Sequence, residues 1–265
     1  KVKDAFDLEK GSIMDSFWEQ NKQIGNALLF SFQRLTSQSL EGVEISEVTD
    51  RVKARGGKDP YLNFKIIGKD NESDICIGVA VLQDDGGRGL GAGFKRLLDK
   101  RGEFNITRGC LVRSQEKPLN RYFRDNYLEP LIHAQGGEWV DLISEDIRSL
   151  IAIWNVYRKR DEYELTEVQI FEFIKNADLE LLLGINSPLL QEILSAPTHQ
   201  VPDTIDEPEL ENADPEVPLE QAVDSNSKVT VSADDPAPEL DLLEGPKDEE
   251  SSEDDDDLAE LAKDD

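Results

Sequence analysis

Apolar positions along residues 1–196 follow helical and extended patterns in turn. Steps of four and seven between apolar residues predict one long helix over 13–38, with Ser12 as its cap. Extended apolar runs predict strands at 43–48, 61–69, 74–83, 106–113 and 138–143. Two further helices are predicted between the later strands, at 90–101 and 118–134. This order predicts an α/β fold, with a mixed central sheet and flanking helices.

The second and third predicted strands are expected to form a hairpin. The polar turn Asp70-Asn71-Glu72-Ser73 separates 61–69 from 74–83. The run 74–83 is apolar at nearly every position, which is typical of a central strand buried on both faces.

From residue 144 onward the pattern is helical. A helix is predicted at about 146–160, Thr166 and Gln169 form a capping box for a second helix, and Ser187 before Pro188 starts a third. We therefore divide the chain into an α/β core, a small helical extension and an acidic tail, at 1–143, 144–196 and 197–265.

Charge separates the tail from the rest of the chain. The whole chain has a net charge of −28, of which residues 197–265 hold 25 acidic residues and 3 lysines. That segment contains no aromatic residue and eight of the twelve prolines. Such a composition cannot bury a core, so the tail is predicted to be disordered.

Several classes of protein are excluded by composition. No apolar stretch approaches the roughly 20 residues that span a bilayer, and no signal peptide begins the chain, so we expect a cytoplasmic protein without a membrane partner. Cys76 and Cys110 are expected to be reduced, buried thiols. Because the chain starts at Lys1 and its only methionine is Met14, we expect it to be a fragment of a longer protein.

A run of alternating glycines, at 87, 89, 91 and 93, leads into the predicted helix at 90–101. The run is in a suitable place for a phosphate loop, but it lacks the lysine and hydroxyl residue of the nucleotide-binding spacing. A flexible loop that leads into a helix is the favoured interpretation.

Basic residues concentrate in the segment 86–124, which has a net charge of +7. They are Arg88, Lys95, Arg96, Lys100, Arg101, Arg108, Arg113, Lys117, Arg121 and Arg124. If Arg88, Lys95, Arg96 and Arg113 converge on one side, they suit the phosphate backbone of a nucleic acid. The alternative is a solvated surface with scattered salt bridges.

Acidic residues near strand ends are the candidates for catalysis. Asp59 precedes one predicted strand, and Glu72 and Asp74 precede the next. Carboxylates at strand ends can hold a divalent cation, although turn and cap chemistry explains these residues equally well. No confident metal site or catalytic set follows from the sequence.

The order of one helix, three strands, a helix and a strand resembles the restriction-endonuclease-like, PD-(D/E)XK nuclease fold. The resemblance covers residues 13–115 and includes Asp74-Ile-Cys-Ile-Gly-Val-Ala-Val-Leu-Gln83, the glycine-rich turn, the basic helix and Arg108-Gly-Cys-Leu-Val-Arg113. The same stretch also resembles the C-terminal modules that are fused to bacterial P-loop ATPases. The family places an acid and a lysine two residues apart in the third strand, where this chain has Val81-Leu82-Gln83 or Ala80-Val81-Leu82, with neither an acid nor a lysine. The resemblance therefore implies a degenerate active site, with Asp59, Asp74 and Gln83 as the nearest catalytic candidates.

Three functional hypotheses follow. The first is a nuclease-like domain of a larger bacterial ATPase that binds nucleic acid or a partner without strong catalysis. The second is an active Mg²⁺-dependent DNA nuclease. The third is a protein-interaction module that works through the acidic tail. Its apolar islands 240–244 and 258–262 either dock as short helices in a partner's groove or are incidental.

Overall fold

The structure is a computed structural model that describes residues 1–98 and 102–201, apart from the side chains of Trp18 and Glu19. The strands are β1 Ser39–Leu40, β2 Val43–Thr49, β3 Phe64–Asp70, β4 Ser73–Val81, β5 Arg108–Arg113 and β6 Glu138–Asp141. The α-helices are α1 Val2–Ser12, α2 Asn21–Arg34, α3 Gly87–Leu98, α4 Arg121–Phe123, α5 Ser144–Arg158, α6 Glu167–Leu181 and α7 Pro188–Leu194. The predicted acidic tail lies outside the described residues from position 202 onward.

The six strands form one mixed sheet in the order β1-β2-β3-β4-β5-β6. Strands β1 to β4 pair antiparallel, and β5 and β6 each pair parallel to the strand before them. The predicted hairpin is confirmed, because Asp70 pairs with Ser73 across a turn in which Asn71 and Glu72 have φ angles of 45° and 75°. Two residues at positive φ give the turn twist that matches the twist of the strands.

Each face of the sheet covers a separate hydrophobic core. In β4, Ile77, Val79 and Val81 belong to the core shared with α1, α2 and α5–α7. Ala80, and Leu82 just beyond the strand, belong to the core under α3 and α4. This alternation confirms burial on both faces from Ile77 to Val81, whereas Ser73 and Asp74 at the start of β4 are exposed. The predicted α/β class, with a mixed sheet and flanking helices, is also confirmed.

The prediction of one long helix over 13–38 is wrong. Ile13 is extended, with φ −70° and ψ 114°, a 3₁₀ turn follows at Asp15–Glu19, and α2 begins only at Asn21. The apolar spacing persists across the break because the turn and α2 bury residues against the same core. Ser12 ends α1 instead of capping a helix, and its hydroxyl donates to the Glu9 carbonyl at 2.8 Å.

The glycine run is helical from Gly87, three residues earlier than predicted. A Cβ at Gly93 would lie 2.5 Å from Leu82 Cδ2, so glycine lets α3 pack directly on the end of β4. The prediction of a flexible loop up to Gly93 is therefore wrong beyond the tight turn at Gly87, where φ is +80°.

The predicted helix at 118–134 consists of one α-helical turn followed by two π-helical turns. The α-helical turn α4 continues as π-helical turns at Arg124–Leu128 and Pro130–Ala134, which Gly136 ends at φ +60°. The wider turns are stabilised by bonds such as the one from Gln135 N to Pro130 O, at 3.0 Å.

The helices after residue 143 share the core of α1 and α2. Lys10 Nζ donates to Ser149 Oγ at 3.1 Å, and an Arg148 Nη donates to Ile13 O at 2.9 Å. The capping box at Thr166 and the start of α7 at Pro188 are both as predicted. The described residues thus belong to one compact unit. None of the helices in the described part of the chain is long and apolar enough to cross a bilayer.

Two buried charges lie at the amino ends of β5 and β6. Arg108 donates to Ser195 O at 2.6 Å and to Ile193 O at 2.8 Å, so it holds the segment after α7 against the sheet. Glu138 is 4% exposed. Burial raises the pKa of its carboxyl to about 7, although the neighbouring Arg108 guanidinium acts in the opposite direction.

We expect Glu138→Gln to remove a pH dependence of stability. The unfolded carboxyl has a pKa of about 4.3. Because the folded pKa is higher, the folded wild type binds the extra proton in the window between the two values, and its stability falls as pH rises through it. The variant should therefore gain about 3 kcal/mol relative to wild type between pH ~4.3, the acid end of that window, and pH ~8.

Urea unfolding at both pH values measures this difference, with Glu180→Gln on the exposed face of α6 as the control. A difference between Glu138→Gln and wild type that stays constant with pH would contradict the assignment.

Candidate nucleic-acid interface

Helix α3 buries one face and presents two cations on the other. Leu90, Gly93, Phe94 and Leu97 form its buried stripe. Arg88 and Lys95 are exposed and seven residues apart, which places them on the same side of the helix, about 10 Å apart along its axis. We call this exposed side, with Arg88, Ala92 and Lys95, the α3 ridge.

One flank of the α3 ridge is the loop before β3. Asp59 lies in this loop, 1% exposed, and pairs with Arg96 Nε at 3.4 Å. The Arg96 guanidinium also lies over the Tyr61 ring, 5.2 Å from its centroid. The Asp59 carboxylate accepts from the backbone N–H groups of Tyr61 and Leu62, at 2.9 and 3.1 Å. Asp59 therefore fixes the loop against α3.

The other flank is aromatic. The rings of Phe94 and Phe123 stack with centroids 6.3 Å apart, and Tyr122 meets Phe123 edge-on at 5.5 Å. Tyr122 is 59% exposed. The α3 ridge thus lies between Tyr61, whose ring lies under the Arg96 guanidinium, and the exposed Tyr122. Aromatic rings beside cations are a common arrangement in nucleic-acid-binding surfaces.

Most other cations near the α3 ridge are already paired with acids. The pairs are Lys53 with Glu103, Lys58 with Asp50, Lys117 with Asp85, Arg121 with Asp125, and Arg124 with Glu129. Within the described residues, no ion pair joins Arg88 or Lys95 to a carboxylate. These two side chains therefore carry positive charge that no described acid neutralises. Lys100 and Arg101 lie outside the described residues.

Arg113 lies away from the α3 ridge and is fully buried. Its guanidinium donates to four backbone carbonyls: Leu82 O at 2.5 Å, Asp84 O at 2.8 Å, Lys117 O at 2.6 Å and Pro118 O at 3.2 Å. Of the four residues predicted to contact phosphate, the structure thus places Arg88 and Lys95 together on the ridge. Arg96 lies beside them but is paired, and Arg113 holds the ends of β4 and β5.

The carboxyl end of β4 is the position at which the resemblance implies an acid and a lysine. Val81 N donates to Asn63 Oδ1 at 2.8 Å, and Gln83 N donates to Asn21 Oδ1 at 2.9 Å. The Gln83 side chain is buried and bridges to β5, with 3.4 Å contacts to Val112 O and Ser114 N. Side-chain amides complete the backbone hydrogen bonding where the β-ladder ends, so Gln83 has a structural role here.

The acidic candidates do not come together. Asp59 lies in the loop before β3, whereas Glu72 and Asp74 are at the turn between β3 and β4, at the other end of a strand about 20 Å long. Within the described residues, no group of three or more His, Cys, Asp or Glu side chains is placed to hold a metal ion. The residues at this end of the sheet therefore do not fit the Mg²⁺ that an active nuclease would need.

Comparison with family models, curated proteins and solved structures finds no match for this chain. The interface therefore rests on the chain's own residues. Sequence reasoning missed the two tyrosines of the flanks and the Asp59–Arg96 pair. The signal for the tyrosines is the interleaving of aromatic and basic residues at Arg121-Tyr122 and around Tyr61. The pairing of Asp59 has no local signal, because its partner is 37 residues away.

Proposed function

We propose that this chain is a nucleic-acid-binding domain that contacts the phosphate backbone through the α3 ridge. The observation that carries the proposal is the position of Arg88 and Lys95, which are exposed, aligned and free of described acidic partners. Other exposed cations also lack a described acidic partner, so what distinguishes Arg88 and Lys95 is their alignment on one exposed helix face, flanked by Tyr61 and Tyr122. Phosphate binding is the interaction that such cations support best.

The proposal includes a restriction-endonuclease-like fold with a degenerate active site. The element order supports it, because a helix precedes an antiparallel set of strands and α3 crosses over to a parallel strand, β5. The degenerate site is supported by Val81 and Gln83 at the positions of the family's acid and lysine. The expected fusion to an ATPase stays a prediction, as does partner binding through the acidic tail.

Removing both ridge cations should weaken nucleic-acid binding. We expect Arg88→Gln/Lys95→Gln to bind a fluorescent DNA duplex about tenfold more weakly, with a salt dependence about two charges shallower. The physical reason is that each phosphate contact releases condensed counterions on binding, so a variant with two fewer contacts releases fewer of them. Fluorescence anisotropy across a salt series measures both quantities.

A charge-matched control is Lys69→Gln/Lys175→Gln, which removes two exposed lysines from β3 and α6. It should retain the wild-type affinity within about twofold. Because these two lysines are not part of the α3 ridge, salt screens their charges from the bound nucleic acid. Equal weakening in the control and the ridge variant would refute a specific ridge. A wild type that binds no duplex at low salt would refute the proposed function itself.

A further inference from the structure

A second surface free of described acids lies between α2 and α5. It is a groove of about 670 Å³ whose lining includes Asn21, Lys22, Gln23, Asn26, Trp154 and Arg158. We call it the amide groove. None of its described lining residues is a carboxylate, although the chain as a whole has a net charge of −28. Its volume falls within the range of about 300–1,000 Å³ that holds a small organic ligand.

The α5 side of the amide groove is a stacked pair. The Arg158 guanidinium lies over the Trp154 ring, 4.7 Å from its centroid. Trp154 is half-buried and packs against the main core, whereas Arg158 is exposed and has no ion pair with any described acid. Because the guanidinium lies over the indole, its outer plane provides a flat surface with a positive charge, and an unstacked nucleobase can stack on an arginine plane of this kind.

The α2 side supplies one cation and four amides, from Gln20, Asn21, Gln23 and Asn26. Lys22 is exposed and, among the described residues, has no acidic partner. The amides of Asn21, Gln23 and Asn26 offer both donors and acceptors, so they match the edge of a base that is not paired with another base. In a duplex this edge is occupied by the complementary strand. The chemistry of the groove is therefore that of unpaired nucleotides.

The amide groove and the α3 ridge meet at the end of β4. Asn21 lines the groove, and its Nδ2 donates to Asp84 Oδ2 at 2.8 Å. The same Asp84 oxygen lies 3.8 Å from the position of a Cβ at Gly89, in the first turn of α3. The amide groove and the first turn of α3 are therefore adjacent, with the exposed Asp84 carboxylate between them and one of its oxygens hydrogen-bonded to Asn21.

We propose that the amide groove receives the unpaired nucleotides of a nucleic acid whose paired part lies on the α3 ridge. This inference rests on the proposed function and adds the class of substrate, a junction between a duplex and a single strand. Lys22 contacts phosphate, Trp154 and Arg158 support the stacked base, and the amides contact its edge. The ridge alone binds duplex and does not distinguish its ends.

The test compares a blunt DNA duplex with the same duplex carrying an oligothymidine extension. The wild type should bind the extended duplex about tenfold more tightly, because one stacked base contributes that much. Lys22→Gln/Arg158→Gln should lose this preference and keep the affinity for the blunt duplex. Arg88→Gln/Lys95→Gln should weaken the binding of both, and the control Lys69→Gln/Lys175→Gln should change neither.

Trp154 provides a second readout. Oligothymidine should quench the tryptophan fluorescence of the wild type, and Trp154→Phe, which keeps an aromatic ring in the core contact, should lose that quenching. If the wild type lacks a preference for the extended duplex, or if Lys22→Gln/Arg158→Gln retains it, the groove inference is overturned while the ridge stands. If the wild type binds neither duplex, the proposed function fails as well.

Discussion

Arg113→Met should unfold the protein at much lower denaturant concentration than wild type, with a loss of about 3–5 kcal/mol in the free energy of unfolding. The guanidinium is fully buried and donates to four backbone carbonyls, from Leu82, Asp84, Lys117 and Pro118. Methionine fills much of the volume but leaves these carbonyls without a donor. Burial lowers the Arg113 pKa only to about 10, so the side chain stays charged at neutral pH.

Urea unfolding followed by circular dichroism measures the loss. Arg51→Met makes the same substitution at an exposed arginine, so it should change the free energy of unfolding by less than about 0.5 kcal/mol. Arg113→Lys should rank between wild type and Arg113→Met, because one ammonium group reaches fewer carbonyls than a forked guanidinium. If Arg113→Met were as stable as wild type, Arg113 would not be the residue that joins the ends of β4 and β5.

Gly109→Ala should also destabilise the protein strongly. A Cβ at this position of β5 would lie 2.8 Å from the Leu97 carbonyl oxygen in the last turn of α3, and 3.0 Å from Leu131 Cδ1. A backbone atom cannot rotate away as a side chain does, so α3 itself must shift. We expect a loss of about 2–3 kcal/mol in the free energy of unfolding. Weaker duplex binding should accompany it, since the α3 ridge moves with its helix.

The control for this change is Gly11→Ala, which introduces the same methyl group in α1 with no atom within 4 Å. That variant should be slightly more stable than wild type, by up to about 1 kcal/mol, because alanine favours the helix. Both variants are compared by urea unfolding and by duplex binding. If Gly109→Ala matched Gly11→Ala in both assays, α3 would not depend on a close contact with β5.

The sheet could be predicted from the sequence because its signals are local. Alternating apolar residues mark the start of β2, an apolar run marks β3, and the polar turn at 70–73 joins two neighbouring strands. The break after α1 could not be predicted, since the apolar spacing of 13–38 continues through the 3₁₀ turn. Helix α1 itself was missed because its buried face is short, with only Ala5, Phe6 and Glu9 covered.

The candidate site also combines residues that local spacing predicts with residues that only distant parts of the chain bring together. Arg88 and Lys95 are seven residues apart on one helix, so their common face follows from spacing alone. The burial of Arg113 depends on carbonyl groups from the loops that follow β4 and β5. Its positive charge predicts an exposed side chain, so the sequence did not indicate this burial. The amide groove joins Asn21 to Arg158 across more than half of the described chain. No periodicity within either helix indicates that α2 and α5 share it.

The packing of α2 on α5 has a consequence for the order in which the protein is made. Phe30 of α2 meets Tyr157 of α5 with ring centroids 4.7 Å apart, so α2 is covered by a helix from much later in the chain. A ribosome adding roughly 5–20 residues per second needs on the order of ten seconds to synthesise the intervening segment. During that time the apolar face of α2 is exposed on the nascent chain. This interval is the period in which a chaperone would protect the protein from aggregation.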